Sequence, residues 1–101
     1  MDAPGFATRE EALLAAERVF LPSGFGWDLT STNVTWNSER QVLRRFGALP
    51  ETMHFGATEL DLAAGEVRYV DQDHRDGGDF VAHRAPLPEA WVIRLRALLG
   101  T

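Results

Sequence analysis

A chain of 101 residues that is 45% apolar, 10% aromatic and 25% charged has the make-up of one globular domain, far from disordered or fibrous compositions. Its net charge of −5 argues against general binding to nucleic acid or anionic membranes, which relies on Lys and Arg to neutralise phosphate, and suits a basic partner. The absence of cysteine rules out disulfides, thiolate catalysis and thiolate metal sites.

All ten basic residues are arginine, the signature of a GC-rich, bacterial coding bias. No apolar run reaches the length of a membrane span. The leading MDAPGFATREE lacks a basic segment followed by an apolar core, so the expected location is cytoplasmic.

In chain order, residues 1–7 carry no pattern and are expected to fray. Thr8 and Glu11 have capping-box spacing and open a helix over residues 9–20. Its apolar face is read as Ala12, Ala15, Ala16 and Val19 with Leu13 and Phe20 beside them, leaving Glu10, Glu17 and Arg18 in water. Pro22, Gly24 and Gly26 end it. The Thr-, Val- and Trp-rich run from Trp27 to Trp36 predicts a strand, with an irregularity near Ser31 to Asn33.

Ser38 and Gln41 then repeat the capping-box spacing, and Val42, Leu43, Phe46 and Leu49 recur at helical intervals, which predicts a second helix. From Met53 to Val70 two strands are expected around a four-residue turn, Leu62 to Gly65. That register sets Asp61 against Glu66, Leu60 against Val67 and Glu59 against Arg68. Phe80 to Arg84 reads as an antiparallel partner for the strand ending at Val70. Pro88 opens a last helix with Trp91, Val92, Leu95, Leu98 and Leu99 as its apolar stripe and Gly100 as its stop.

The expected architecture is one α+β domain over residues 1–101, in the order α-β-α-β-β-β-α. A small antiparallel sheet of about four strands is covered by three helices.

The densest chemistry lies in VDQDHRDGGDF, residues 70–80. Set on a calcium loop beginning at Asp71, it lacks the glycine of the sharp turn and the closing glutamate, and puts Arg75 where a ligand belongs. Asp71, Asp73 and Asp76 could still hold a hard cation loosely, and His83 could join Asp71 at a transition metal, but an exposed, hydrogen-bonded histidine accounts for His83 more simply. For acid-base chemistry the candidates are His83 and Asp61, the likeliest to sit on a sheet face, and Asp28, which follows Trp27 in an apolar context. Arg40, Arg44 and Arg45 would supply a nucleic-acid contact from the second helix, although a solvated basic face explains them as well.

TREEALLAAE followed later by ELDLAAGEVRYV resembles the helix and hairpin of small PepSY-type and YrhB-type bacterial domains, some of which are inhibitors or toxin-immunity proteins. The likeness covers under a third of the chain, and the expected second helix before the hairpin departs from it.

The expectation is a regulatory, adaptor or immunity-like protein-binding module without a cofactor. Asp71, Asp73, Asp76 and Asp79 would meet a basic partner, and Trp27 or Trp36 would act as apolar anchor. The rival is a small enzyme or ligand-binding domain using His83 with Asp71 or Asp28. Self-association into a homodimer is a further expectation open to test.

Overall fold

A computed structural model describes residues 5–22, 29–48, 55–73 and 78–101, with backbone alone at 31, 72, 73 and 79. The elements are α1 (Arg9–Phe20), β1 (Thr30–Asn37), β2 (Val42–Ala48), β3 (Phe55–Asp61), β4 (Glu66–Asp73), β5 (Gly78–Pro86) and α2 (Glu89–Leu99). The five strands form one antiparallel meander in the order β1-β2-β3-β4-β5. Both helices pack on one side of it, so the class is α+β, with five strands and two helices where about four and three were expected.

The correction is the second helix, which is β2. Its burial alternates strictly, with Leu43, Arg45 and Gly47 buried and Val42, Arg44, Phe46 and Ala48 only half-buried, a period of two. The run VLRRF fits either period, because its two arginines look like a solvated helical face. In the fold Arg45 points inward and is paired. The Ser38–Gln41 spacing is not a cap, since Asn37 Oδ1 accepts the N–H groups of Glu39 and Arg40 at 3.1 Å each and turns the chain instead.

The turn from β3 to β4 has the expected register, Asp61↔Glu66, Leu60↔Val67 and Glu59↔Arg68. Gly65 takes φ +66°, a left-handed position that glycine occupies without a Cβ penalty, and its N–H donates to the Asp61 carbonyl at 2.9 Å. β1 carries the expected irregularity, a register shift between Thr30 and Asn33. β4 runs beyond Val70 to Asp73, so only residues 74–77 connect it to β5.

The core lies between the helices and the inner sheet face and includes Leu13, Ala16, Leu43, Leu60, Val67, Trp91 and Leu95. Trp91 is 1% exposed and meets Phe20 edge-on at 4.9 Å. Phe6, within the stretch expected to fray, also belongs to this core, while residues 1–4 of that stretch lie outside the described residues. Arg94 Nη2 donates to the Phe6 carbonyl at 2.6 Å, and the Arg94 guanidinium lies 5.1 Å from the Phe6 ring. α2 ends at Gly100, φ +75°, as its stop signal implied.

α1 has the expected span and the Thr8 cap, but it is rotated about its axis. Glu17 is 1% exposed, whereas Val19 is 48% exposed. Leu13, Ala16, Glu17 and Phe20 face the sheet, and the glutamate is admitted because the sheet provides partners for it. Arg45 Nη1 donates to both Glu17 oxygens at 2.6 and 2.9 Å, and Thr58 Oγ1 donates at 2.7 Å. A buried polar group this well satisfied avoids most of the desolvation cost it would otherwise incur.

Candidate functional site

Both helices lie on one side, so among the described residues no helix covers the other face of the sheet, although Ala57 on that face is fully buried. Alternation sends Thr35 and Asn37 of β1, Val42, Arg44 and Phe46 of β2, Phe55, Glu59 and Asp61 of β3, and Glu66, Arg68 and Val70 of β4 to that face. It divides along the strands into two ends.

At the end bearing the β1–β2 and β3–β4 turns lies a half-enclosed groove of about 680 Å³, bounded by Thr35, Asn37, Arg40, Arg44, Glu59, Asp61 and Arg68, with Val42, Ala63 and Ala64 as its apolar wall. Its floor is a cross-strand charge ladder. Arg68 reaches Asp61 at 2.9 Å, Glu66 at 3.1 Å and Glu59 at 3.2 Å, and Arg44 Nε lies 3.5 Å from the other oxygen of Glu59. Three carboxylates beside one guanidinium hold the Arg68 pKa up, although burial alone would lower it. The Asp61 and Glu66 charges, which face each other across the turn, are thereby reconciled by one arginine.

The rim of the groove is tightly fixed. Gln41 is the one non-glycine among the described residues with a positive φ, +60°. Its carbonyl accepts the Leu62 N–H at 2.9 Å, and its side-chain oxygen accepts Arg96 Nη2, also at 2.9 Å. Neighbouring backbone and α2 therefore over-determine an unfavoured conformation beside Arg40, the circumstance in which local strain persists.

At the opposite end of the face, Phe46 and Phe55 stack with centroids 5.4 Å apart and planes at 10°, and the Arg44 guanidinium lies 5.2 Å from the Phe46 ring. The β4–β5 connection leaves the sheet at this end, bringing the backbone positions of Asp73 and Asp79 there.

The residues singled out from sequence are dispersed. Asp71 lies on the helix-side row of β4, opposite Phe80, and His83 lies opposite Tyr69, so the proposed His83 and Asp71 pair are diagonal, not direct, cross-strand neighbours on one face. Burial first, then the charges of Asp71 and Glu17, push the Tyr69 phenol pKa up. Trp36 is half-buried and packs, like Val34, against the core.

Arg40, Arg44 and Arg45 do not share a face. Arg40 sits in the β1–β2 turn, Arg44 on the uncovered face, and Arg45 is buried beneath α1, so the expected single basic helix surface is absent. Trp27, Asp28, Asp76 and the Asp73 and Asp79 side chains lie outside the described residues. Among the described residues no three His, Asp or Glu side chains gather as a metal cage, and no helix is long and apolar enough to cross a membrane.

Sequence alone does not say which sheet face the helices leave open, because the VLRRF run with Arg44 and Arg45 fits a helical period as well as a strand period. One signal was available: the Glu59–Arg68 pairing, which fixes the floor of the groove, follows from the turn alone. No protein family, curated protein or solved structure matches the chain, so the PepSY-type and YrhB-type likeness assigns no family.

Proposed function

We propose that this protein is a small binding module that engages a protein partner, in a regulatory, adaptor or immunity-like role, through the sheet face the helices leave uncovered. The observation that supports this reading most is the asymmetry of that face: an arginine-rimmed groove at one end, a stacked Phe46–Phe55 pair at the other. Aromatic and arginine side chains are over-represented among residues that dominate binding energy. Asp73 and Asp79, which flank the β4–β5 connection, have their backbone positions at the aromatic end. A partner would then carry basic groups opposite those aspartates and an apolar side chain opposite the phenylalanines.

The test is capture of partners from the native host by the wild-type protein and by two variants. Phe55→Asp spoils the uncovered face, and Ile93→Asp alters an exposed position on α2. Loss of a captured protein with the first variant only supports the reading. Equal retention by both, with each variant folded by circular dichroism, overturns it.

A further inference from the structure

The charged hydrogen-bonding capacity left over in the groove is mostly donor capacity. Its carboxylates are occupied: Glu59 lies between Arg44 and Arg68, while Asp61 accepts Arg68 Nη1 at 2.9 Å and the Ala64 N–H at 2.9 Å. Arg68 is in turn consumed by three carboxylates. Asn37 Oδ1 is committed to two backbone N–H groups, which leaves its amide N–H₂ as the free end.

Arg44 makes one longer ion-pair contact, 3.5 Å through Nε, and its guanidinium also lies 5.2 Å from the Phe46 ring, a contact that leaves its in-plane terminal N–H groups as donors. Arg40, exposed on the rim, has no carboxylate within salt-bridge distance among the described residues. Thr35 adds a hydroxyl. The charged side chains of the groove left short of partners are therefore cationic, Arg40 and Arg44, whereas each of its carboxylates among the described residues already has a partner.

We infer that the groove receives a carboxylate side chain, from an acidic segment of the protein partner, between Arg40 and Arg44. The inference rests on the binding-module reading and gives that partner a second polarity: acidic at the groove, basic toward the β4–β5 connection. Guanidinium groups match a carboxylate by parallel N–H···O contacts, and the fixed Gln41 turn reduces the ordering cost at Arg40. The chain's overall charge of −5 opposes an acidic ligand at long range, so the contact has to be won locally, and because Arg40 is exposed on the rim added salt should weaken it.

The experiment uses the full chain and defined probes, so it does not depend on finding the partner. A blocked tetraglutamate peptide, a blocked tetralysine peptide and citrate are titrated into isotope-labelled protein while backbone amide signals are followed. The expected result is saturable shifts confined to the Asn37–Arg44 turn and the Ala63–Ala64 turn for tetraglutamate, with a dissociation constant on the order of millimolar.

Arg40→Glu, at an exposed turn position that leaves the sheet intact, should weaken the peptide at least tenfold, and Arg44→Gln should weaken it without reversing charge. Absence of shifts with tetraglutamate, unchanged shifts in Arg40→Glu, or equal response to tetralysine overturns the inference. Citrate binding more tightly than the peptide overturns the protein source of the carboxylate. If host capture is lost in Phe55→Asp yet intact in Arg40→Glu, the binding-module reading survives and the carboxylate inference does not.

Discussion

The carboxylate of Glu17 on α1 accepts two contacts, 2.6 and 2.9 Å, from a single nitrogen, Nη1 of the β2 residue Arg45. Thr58 Oγ1 completes the arrangement from β3 at 2.7 Å. Three elements that the sequence leaves unrelated are thus keyed together by charge at the centre of the core, and the pair decides which face of α1 turns inward.

Removing either partner strands the other in a medium that cannot solvate it. Glu17→Ala and Arg45→Ala should each lose about 3–5 kcal/mol of folding free energy, measured by urea denaturation. The double replacement Glu17→Leu with Arg45→Met exchanges the pair for apolar volume and should be less destabilising than the sum of its singles. A strictly additive double mutant would mean that the two side chains are energetically independent despite their contact.

The pair also carries a pH signature. Burial pushes the Glu17 pKa above its ordinary 4.5, outweighing the Thr58 hydrogen bond and the Arg45 charge that pull it down. A carboxyl with a raised folded-state pKa binds more protons folded than unfolded, so its contribution is full below about 4.5 and is lost as pH rises through the folded value. The stability gap between wild type and Glu17→Gln should therefore narrow as pH climbs from 4 toward neutrality, all other carboxylates being common to both. A gap that widens over that range would place the folded pKa below the ordinary one.

Much of the fold can be read in the sequence where local chemistry and tertiary structure agree. The Thr8 cap, the Leu62–Gly65 turn with its register, and the Trp91 stripe each announce themselves within one element. The reading fails where a polar side chain is buried by a distant partner. Glu17 and Arg45 both look like surface residues until paired, and that one error rotated α1, turned β2 into a helix and hid the uncovered face. The groove was half-visible in the Glu59–Arg68 pair, and Arg40 could join it only once β2 was a strand.

Tyr69 offers a reading of the same interior without mutation, because it is the sole tyrosine. Its phenol should ionise above the ordinary 10 in the folded protein, since burial and the Asp71 and Glu17 charges disfavour phenolate, and should return to about 10 in urea. The near-ultraviolet absorbance change against pH reports it directly. Equal midpoints in the two states would show an exposed ring, contrary to its 3% exposure.

Gly56 and Gly65 should respond to the same substitution for different reasons. At Gly65 the backbone is left-handed, φ +66°, and the nearest atom to an added Cβ, the Leu87 carbonyl oxygen, is 3.9 Å away. Gly65→Ala should thus cost only the conformational penalty, about 1–2 kcal/mol. Gly56 has no such backbone demand, but a methyl group there would collide with the Tyr69 hydroxyl and crowd Leu29 at 3.3 Å. Relief requires the Tyr69 ring to move out of a packed core, so Gly56→Ala should cost about 1–3 kcal/mol and also lower the Tyr69 ionisation midpoint, as the ring gains water. Denaturation paired with the phenol titration separates the two: Gly65→Ala should leave the titration untouched. A normal Tyr69 midpoint shift in Gly56→Ala, with stability lost all the same, would locate the strain in the β3 backbone instead of the ring.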